Sequence, residues 1–166
     1  MSPEPTRLLF VCLGNICRSP AAEGIFLHLL GREGLEPAFV VDSAGTGSWH
    51  AGQPADRRMR SAAERRGIHL PSRARQIEAA DLQRFDHILT MDEDNLAAVR
   101  ALVIPQGPQP QARITPLLQY GRRGSPLEVP DPYYGGPDGF DHVLDLLDDA
   151  CQGLLAALRP SGSERR

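Results

Sequence analysis

The sequence predicts a three-layer α/β/α sandwich around a central four-stranded parallel sheet, Rossmann-like, with a phosphate-binding loop after the first strand. Three observations support this. Four short apolar, β-prone segments are spread along the chain, helical patterns separate them, and a Ser-Pro pair stands where the first strand gives way to the first helix. Strands that alternate with helices pair in parallel and need helices on both faces.

The segments justify themselves in order. LLFVCL (8–13) reads as a buried strand, and AFVVDSAG (38–45), HILTM (87–91) and ARITPL (112–117) supply three more. Helices are expected at AAEGIFLHLLGREG (21–34), PADRRMRSAAERRG (54–67) and EDNLAAVRALV (93–103). A last one, at 139–158, carries Val143, Leu146, Leu147 and Leu154 at helical spacing. The stretch 104–111, rich in Pro and Gln, reads as a loop, and the basic run at 57–66 as a solvated helix face. A single domain over 1–166 is expected, with an ordered core at about 7–158 and a frayed tail at 159–166.

Composition bounds the chemistry. At 166 residues, with 41% hydrophobic and 23% charged residues, the chain suits one sizeable core. All 18 basic residues are Arg. A Schiff-base lysine and a Walker-type lysine are therefore excluded, and a phosphate grip must use Arg and backbone N–H groups. The net charge of −3 argues against broad nucleic-acid binding. No apolar run has membrane-spanning length, and the start lacks the pattern of a signal peptide. A cytoplasmic protein with reduced thiols is expected.

Two of the three cysteines fall within VCLGNICRSP (11–20). Zinc would need further ligands at metal spacing, which the sequence does not offer, so neither metal nor cofactor is expected. A permanent disulfide conflicts with the expected compartment. Packing alone leaves Gly14, Asn15 and Arg18 unexplained. The remaining reading is a thiolate at Cys12 with Arg18 six positions later, in a strand-to-helix loop formed by Leu13, Gly14, Asn15, Ile16 and Cys17. Such a loop directs amides and the positive end of a helix at an anion, and both favour a thiolate. The planar guanidinium fork matches two phosphate oxygens. Ser19 is expected to cap the helix, with Pro20 as its first residue.

CLGNICRSP near the start and DPYYGG at 131–136 resemble the low-molecular-weight protein-tyrosine phosphatase family. So do DSAGTGSWHAGQPAD (42–56), RARQI (73–77) and MDEDNL (91–96), and the similarity runs over roughly 7–158. The resemblance implies that Cys12 is the nucleophile, that Arg18 binds the phosphoryl oxygens, and that Asp131 is general acid and then base. Without it, Asp131 is a plain Asp-Pro turn. It further implies that Asn15 pins the loop with help from Ser43, and that the Ser19 hydroxyl donates to the Cys12 sulfur. Trp49, Tyr133 and Tyr134 would wall the mouth, and Cys17 would be a redox partner of Cys12. Ser72 departs from the family, whose better-known members carry a His near this position. None of the five His is given a catalytic role.

Expected partners are phosphotyrosine-containing proteins, with no nucleic acid and no membrane, and the chain acting as a monomer or weak homodimer. Two rivals stay open. An arsenate reductase of the same fold would need further relay cysteines, and residues 18–150 contain none. A non-catalytic phosphotyrosine-binding or redox-sensing module would not need Cys12, Arg18 and Asp131 together.

Overall fold

The computed structural model describes residues 4–122, 126–132 and 136–160, apart from the Pro137 side chain. Tyr133, Tyr134 and the 161–166 part of the expected tail lie outside these residues. Four strands form one sheet: β1 (Thr6–Cys12), β2 (Phe39–Gly45), β3 (His87–Thr90) and β4 (Arg113–Pro116). Their order is β2-β1-β3-β4 and every pairing is parallel. Cys12 pairs with Gly45 and Val11 with Thr90, so β1, β2 and β3 end level with one another at the sheet's carboxyl edge. The chain order reverses beside β1, and open sheets of this kind bind ligands at such a switch point.

The side-chain alternation of β1 divides the core. Leu8, Phe10 and Cys12 face one side, where they pack with α1 (Arg18–Glu33), α2 (Arg57–Glu64) and α5 (Pro137–Leu158). Leu9 and Val11 face the other, against Leu82 of α3 (Asp81–Arg84) and Val99 of α4 (Glu93–Arg100). A period of two on a strand buried on both faces leaves no polar side, which is why the segment reads as one apolar run. On α5, Val143, Leu147 and Leu154 are fully buried. Cutting Leu147 to alanine there costs ~2–5 kcal/mol.

One expectation is corrected. The first helix begins at Arg18, not at Pro20, and its cap position is Cys17, with no side-chain cap. Ser19 is drawn away from capping because its hydroxyl lies 3.0 Å from the Cys12 sulfur. The short helix α3 went unforeseen, since four residues are too few to display a period. Within the expected tail, Arg159 is fastened to Glu33 on α1 at 3.1 Å.

Candidate active site

The loop from Leu13 to Cys17 leaves β1 at the sheet's carboxyl edge and curls back over its end. Asn15 stands at φ 56°, the only non-glycine residue with positive φ among those described. Asparagine tolerates this left-handed conformation better than most residues. Gly45, at the end of β2, makes the curl possible: a Cβ there would meet Leu13 O at 2.8 Å and Asn15 N at 3.1 Å. Thr46 N–H donates to Cys12 O and Gly47 N–H to Leu13 O, both at 2.9 Å, so the segment after β2 holds the start of the loop. Asp56 N–H donates to Ile16 O at 2.7 Å and holds its far side. Asp56 also caps α2 through the Arg58 and Met59 amides. Although burial opposes its charge, the hydrogen bonds from Arg58 and the neighbouring guanidinium keep its carboxyl below the ordinary value.

At the floor, Cys12 is 2% exposed, and three hydrogen-bonding groups meet its sulfur. The Asn15 amide lies at 3.3 Å, the Ser19 amide at 3.4 Å and the Ser19 hydroxyl at 3.0 Å. Asn15 also organises the network behind the loop. Its Nδ2 donates to Ser19 Oγ at 2.7 Å and Ser43 Oγ at 3.0 Å, while Oδ1 accepts from Arg75 N–H at 3.0 Å. Ser72 reaches this network through Ser43, with the two hydroxyls 3.4 Å apart.

On the opposite side, Arg18 is 97% buried yet ionic. Its Nη1 donates to Asp92 Oδ2 at 2.7 Å and to Val129 O at 3.0 Å, and Nη2 lies 3.6 Å from Asp131 Oδ2. Burial works against the guanidinium charge, but Cys12, Asp92 and Asp131 outweigh it and hold the group charged more firmly than a free Arg. Asp92 is shared: Oδ1 accepts from Asn95 N–H at 2.8 Å and caps α4. The segment bearing Asp131 is tied to the end of β3 by Val129 N–H donating to Met91 O at 2.8 Å.

The result is a pocket of about 380 Å³. Cys12 and Arg18 form its base, Leu13, Ile16 and Trp49 its apolar wall, and Asp131 its rim. Trp49 is 70% exposed, as a mouth residue would be. Gly14, Cys17 and His50 complete the lining. Cys17 lies buried, and burial, then Asp56, Cys12 and Asp131, push its thiol well above the ordinary value.

Thus the expected residues Cys12 through Ser19, Ser43, Ser72, Trp49 and Asp131 are brought together. Sequence reasoning passed over four others. Asp92 was legible as a carboxylate one residue past the β3 segment, at the same sheet edge. His50 was legible as the neighbour of Trp49. Arg75 and Glu23 gave weaker signals, an Arg in a quoted motif and a charge inside an apolar helical run. Glu23 is 5% exposed, and Ser43 Oγ donates to its Oε1 at 2.7 Å.

The model of the low molecular weight phosphotyrosine protein phosphatase family matches residues 7–164. A Synechocystis protein that carries the low molecular weight protein-tyrosine-phosphatase name is 49% identical over 152 residues, 92% of this chain and 96% of its own. The crystal structure of a protein tyrosine phosphatase from Entamoeba histolytica is 42% identical, covers 92% of this chain and 96% of that one, and superposes with a TM-score of 0.85. A Drosophila arginine phosphatase structure is 32% identical over 93% of this chain and 98% of its own, with a TM-score of 0.87.

Proposed function

The chain belongs to the low molecular weight phosphotyrosine protein phosphatase family, a family of hydrolases, and on that premise we propose that it hydrolyses phosphotyrosine and other aryl phosphate monoesters through a phosphocysteine. One observation carries the reading: a thiol, a buried guanidinium and a rim carboxyl share one small pocket. In the first step the Cys12 sulfur attacks phosphorus, the P–O bond to the phenol breaks, and Asp131 gives the leaving oxygen its proton. In the second, water attacks the phosphocysteine, Asp131 takes a proton from that water, the S–P bond breaks and phosphate leaves. Arg18 matches the equatorial oxygens in both steps, with Asp92 and Val129 O fixing its orientation. A group that donates and later accepts one proton suits this two-step route.

The pocket wall narrows the substrate class. Leu13, Ile16 and Trp49 offer apolar surface to a leaving group, which fits a phenyl ring better than a charged guanidinium. Aryl phosphate is therefore preferred here over the phosphoarginine chemistry named for the Drosophila relative. Arsenate reductase chemistry fares worse, because Cys151 is fully buried on α5 with its sulfur against Ala22 O and offers no relay thiol at the pocket. We place the chain's work in the cytoplasm on phosphotyrosine-bearing proteins, as one catalytic domain over 1–166, monomeric or weakly dimeric. Among the described residues no helix is long and apolar enough to cross a membrane.

The proposal extends to Cys17 as a resolving cysteine. Peroxide oxidises the Cys12 thiolate to a sulfenic acid. The Cys17 sulfur then attacks it, a disulfide forms and water leaves, and a dithiol reductant reopens the bond. Burial pushes the Cys17 thiol above its ordinary value, which disfavours the attacking thiolate. After peroxide and then dithiothreitol, the wild type should recover more activity than Cys17→Ser; equal recovery would leave Cys17 as packing alone.

The test of the phosphatase reading is release of phosphate from p-nitrophenyl phosphate and from a phosphotyrosine peptide, set against a phosphoarginine peptide. Turnover of both aryl substrates, well above that of phosphoarginine, is expected. Preference for phosphoarginine, or dependence on a thiol reductant cycle, would overturn it.

A further inference from the structure

The hydrogen bonds behind the loop have a direction, and their far end is a buried carboxyl that the reaction does not use. Arg75 N–H donates to Asn15 Oδ1, which fixes which end of the Asn15 amide is oxygen. Both Nδ2 hydrogens are then spent, one on Ser19 Oγ and one on Ser43 Oγ, so both hydroxyls accept from Asn15. Each serine keeps a single hydrogen. The nearer partner for that of Ser19 is the Cys12 sulfur at 3.0 Å, against Ala44 O at 3.4 Å. For Ser43 the nearer partner is Glu23 Oε1 at 2.7 Å, against Ser72 Oγ at 3.4 Å.

We propose that Glu23 is a positioning residue for the Cys12 thiolate: it anchors the chain Glu23–Ser43–Asn15–Ser19, which holds two donors on the sulfur. Glu23 stands on α1 one turn beyond Ser19, so one helix carries both ends of the chain. A hydroxyl that donates to a carboxylate becomes a better acceptor for the Asn15 amide behind it. That amide in turn holds Asn15 in its left-handed conformation, and the Asn15 backbone N–H is itself one of the sulfur's donors. Among the described residues Glu23 has no salt-bridge partner, and Arg75 is committed to Asp42 and Asp81. Ser72 adds a hydroxyl to this cluster, not a cation, so the anchoring is done by hydrogen bonds.

The inference rests on Cys12 being the nucleophile, and its test separates the two. Alkylation of Cys12 by iodoacetamide, a neutral reagent, is followed against pH by peptide mass in wild type, Glu23→Ala and Glu23→Gln, with kcat and KM measured alongside. Loss of one charge-assisted hydrogen bond in Glu23→Ala should move the alkylation midpoint upward by roughly one pH unit and lower kcat about tenfold, with KM changed less than about twofold. Glu23→Gln keeps an accepting oxygen and removes a negative charge, so its midpoint should lie at or below that of the wild type. An unchanged alkylation profile in folded Glu23→Ala, or a Gln variant as impaired as the Ala one, would overturn the proposal. A shifted profile without phosphatase activity in the wild type would keep the anchor and reject the phosphatase reading.

Discussion

The two sides of the loop from Cys12 to Arg18 are built from different chemistry. On the β2 side, Asn15, Ser19 and Ser43 meet through an amide and hydroxyls, with charge only at the far ends in Glu23 and Arg75. On the β3 side, the Arg18 guanidinium meets the side-chain carboxyl groups of Asp92 and Asp131. The first side sets geometry, since short polar groups have few alternative partners once buried. The second side handles charge, since only a guanidinium held by carboxylates stays ionised and oriented in so buried a place. The loop needs both, a rigid curl and a charged wall.

If the division is right, substitutions on the two sides should fail differently. The largest effects are expected at Cys12 and Arg18. Cys12→Ser should lose at least ~10³-fold in kcat, because a hydroxyl is a far poorer nucleophile at its free pKa. Arg18→Lys should also fall steeply in kcat/KM, since an ammonium cannot make the parallel pair of bonds. Near-wild-type turnover of Cys12→Ser would reassign the nucleophile.

Asp131→Asn comes next, with an expected loss of ~10²–10³-fold for a poor leaving group and much less for a good one. The slope of log kcat against leaving-group pKa should steepen. A parallel line would remove Asp131 from proton transfer.

Between the sides, the sharper contrast is Asn15→Ala against Asp92→Asn. The first should reduce kcat about tenfold with little change in KM, because it loosens the donors on sulfur. The second should act mainly on substrate affinity, because it frees Arg18 to turn from the phosphate. Measured kcat and KM that move alike in both variants would erase the division.

The smallest effect concerns stability. Burial raises the Glu23 carboxyl above its ordinary value, hydrogen bonds from Ser43 and Ser72 oppose this, Asp42 adds to it and Arg75 subtracts. The folded state therefore holds a proton that the unfolded chain releases earlier. The resulting stabilisation is full below the unfolded value of about 4.3 and is lost as pH rises through the higher folded value. Urea unfolding of Glu23→Gln should thus gain on wild type as pH rises through that window, and a constant difference would count against a raised carboxyl.

What the sequence made legible follows from range. The strands and the loop of Cys12 to Arg18 are local patterns, so period and spacing sufficed. Asp131 was reachable only through family resemblance, because the topology alone brings it across from beyond β4. Only the cap reading of Ser19 failed, and for a physical reason: the same hydroxyl suits a helix cap or a sulfur, and the curl of the loop sets it beside the sulfur. Glu23 and Arg75 stayed hidden because their partners lie far off in sequence, Ser43 for one and Asp42 and Asn15 for the other.

The central claim, that Cys12 carries the phosphoryl group, is tested most directly by acid-quenching the enzyme within the first turnovers of p-nitrophenyl phosphate and mapping the label by peptide mass. Phosphate on Cys12, absent in Cys12→Ser and accumulating when Asp131→Asn slows its hydrolysis, is the expected result. Phosphate on another side chain, or steady turnover with none on Cys12 under conditions that preserve a thiophosphate ester, would contradict it.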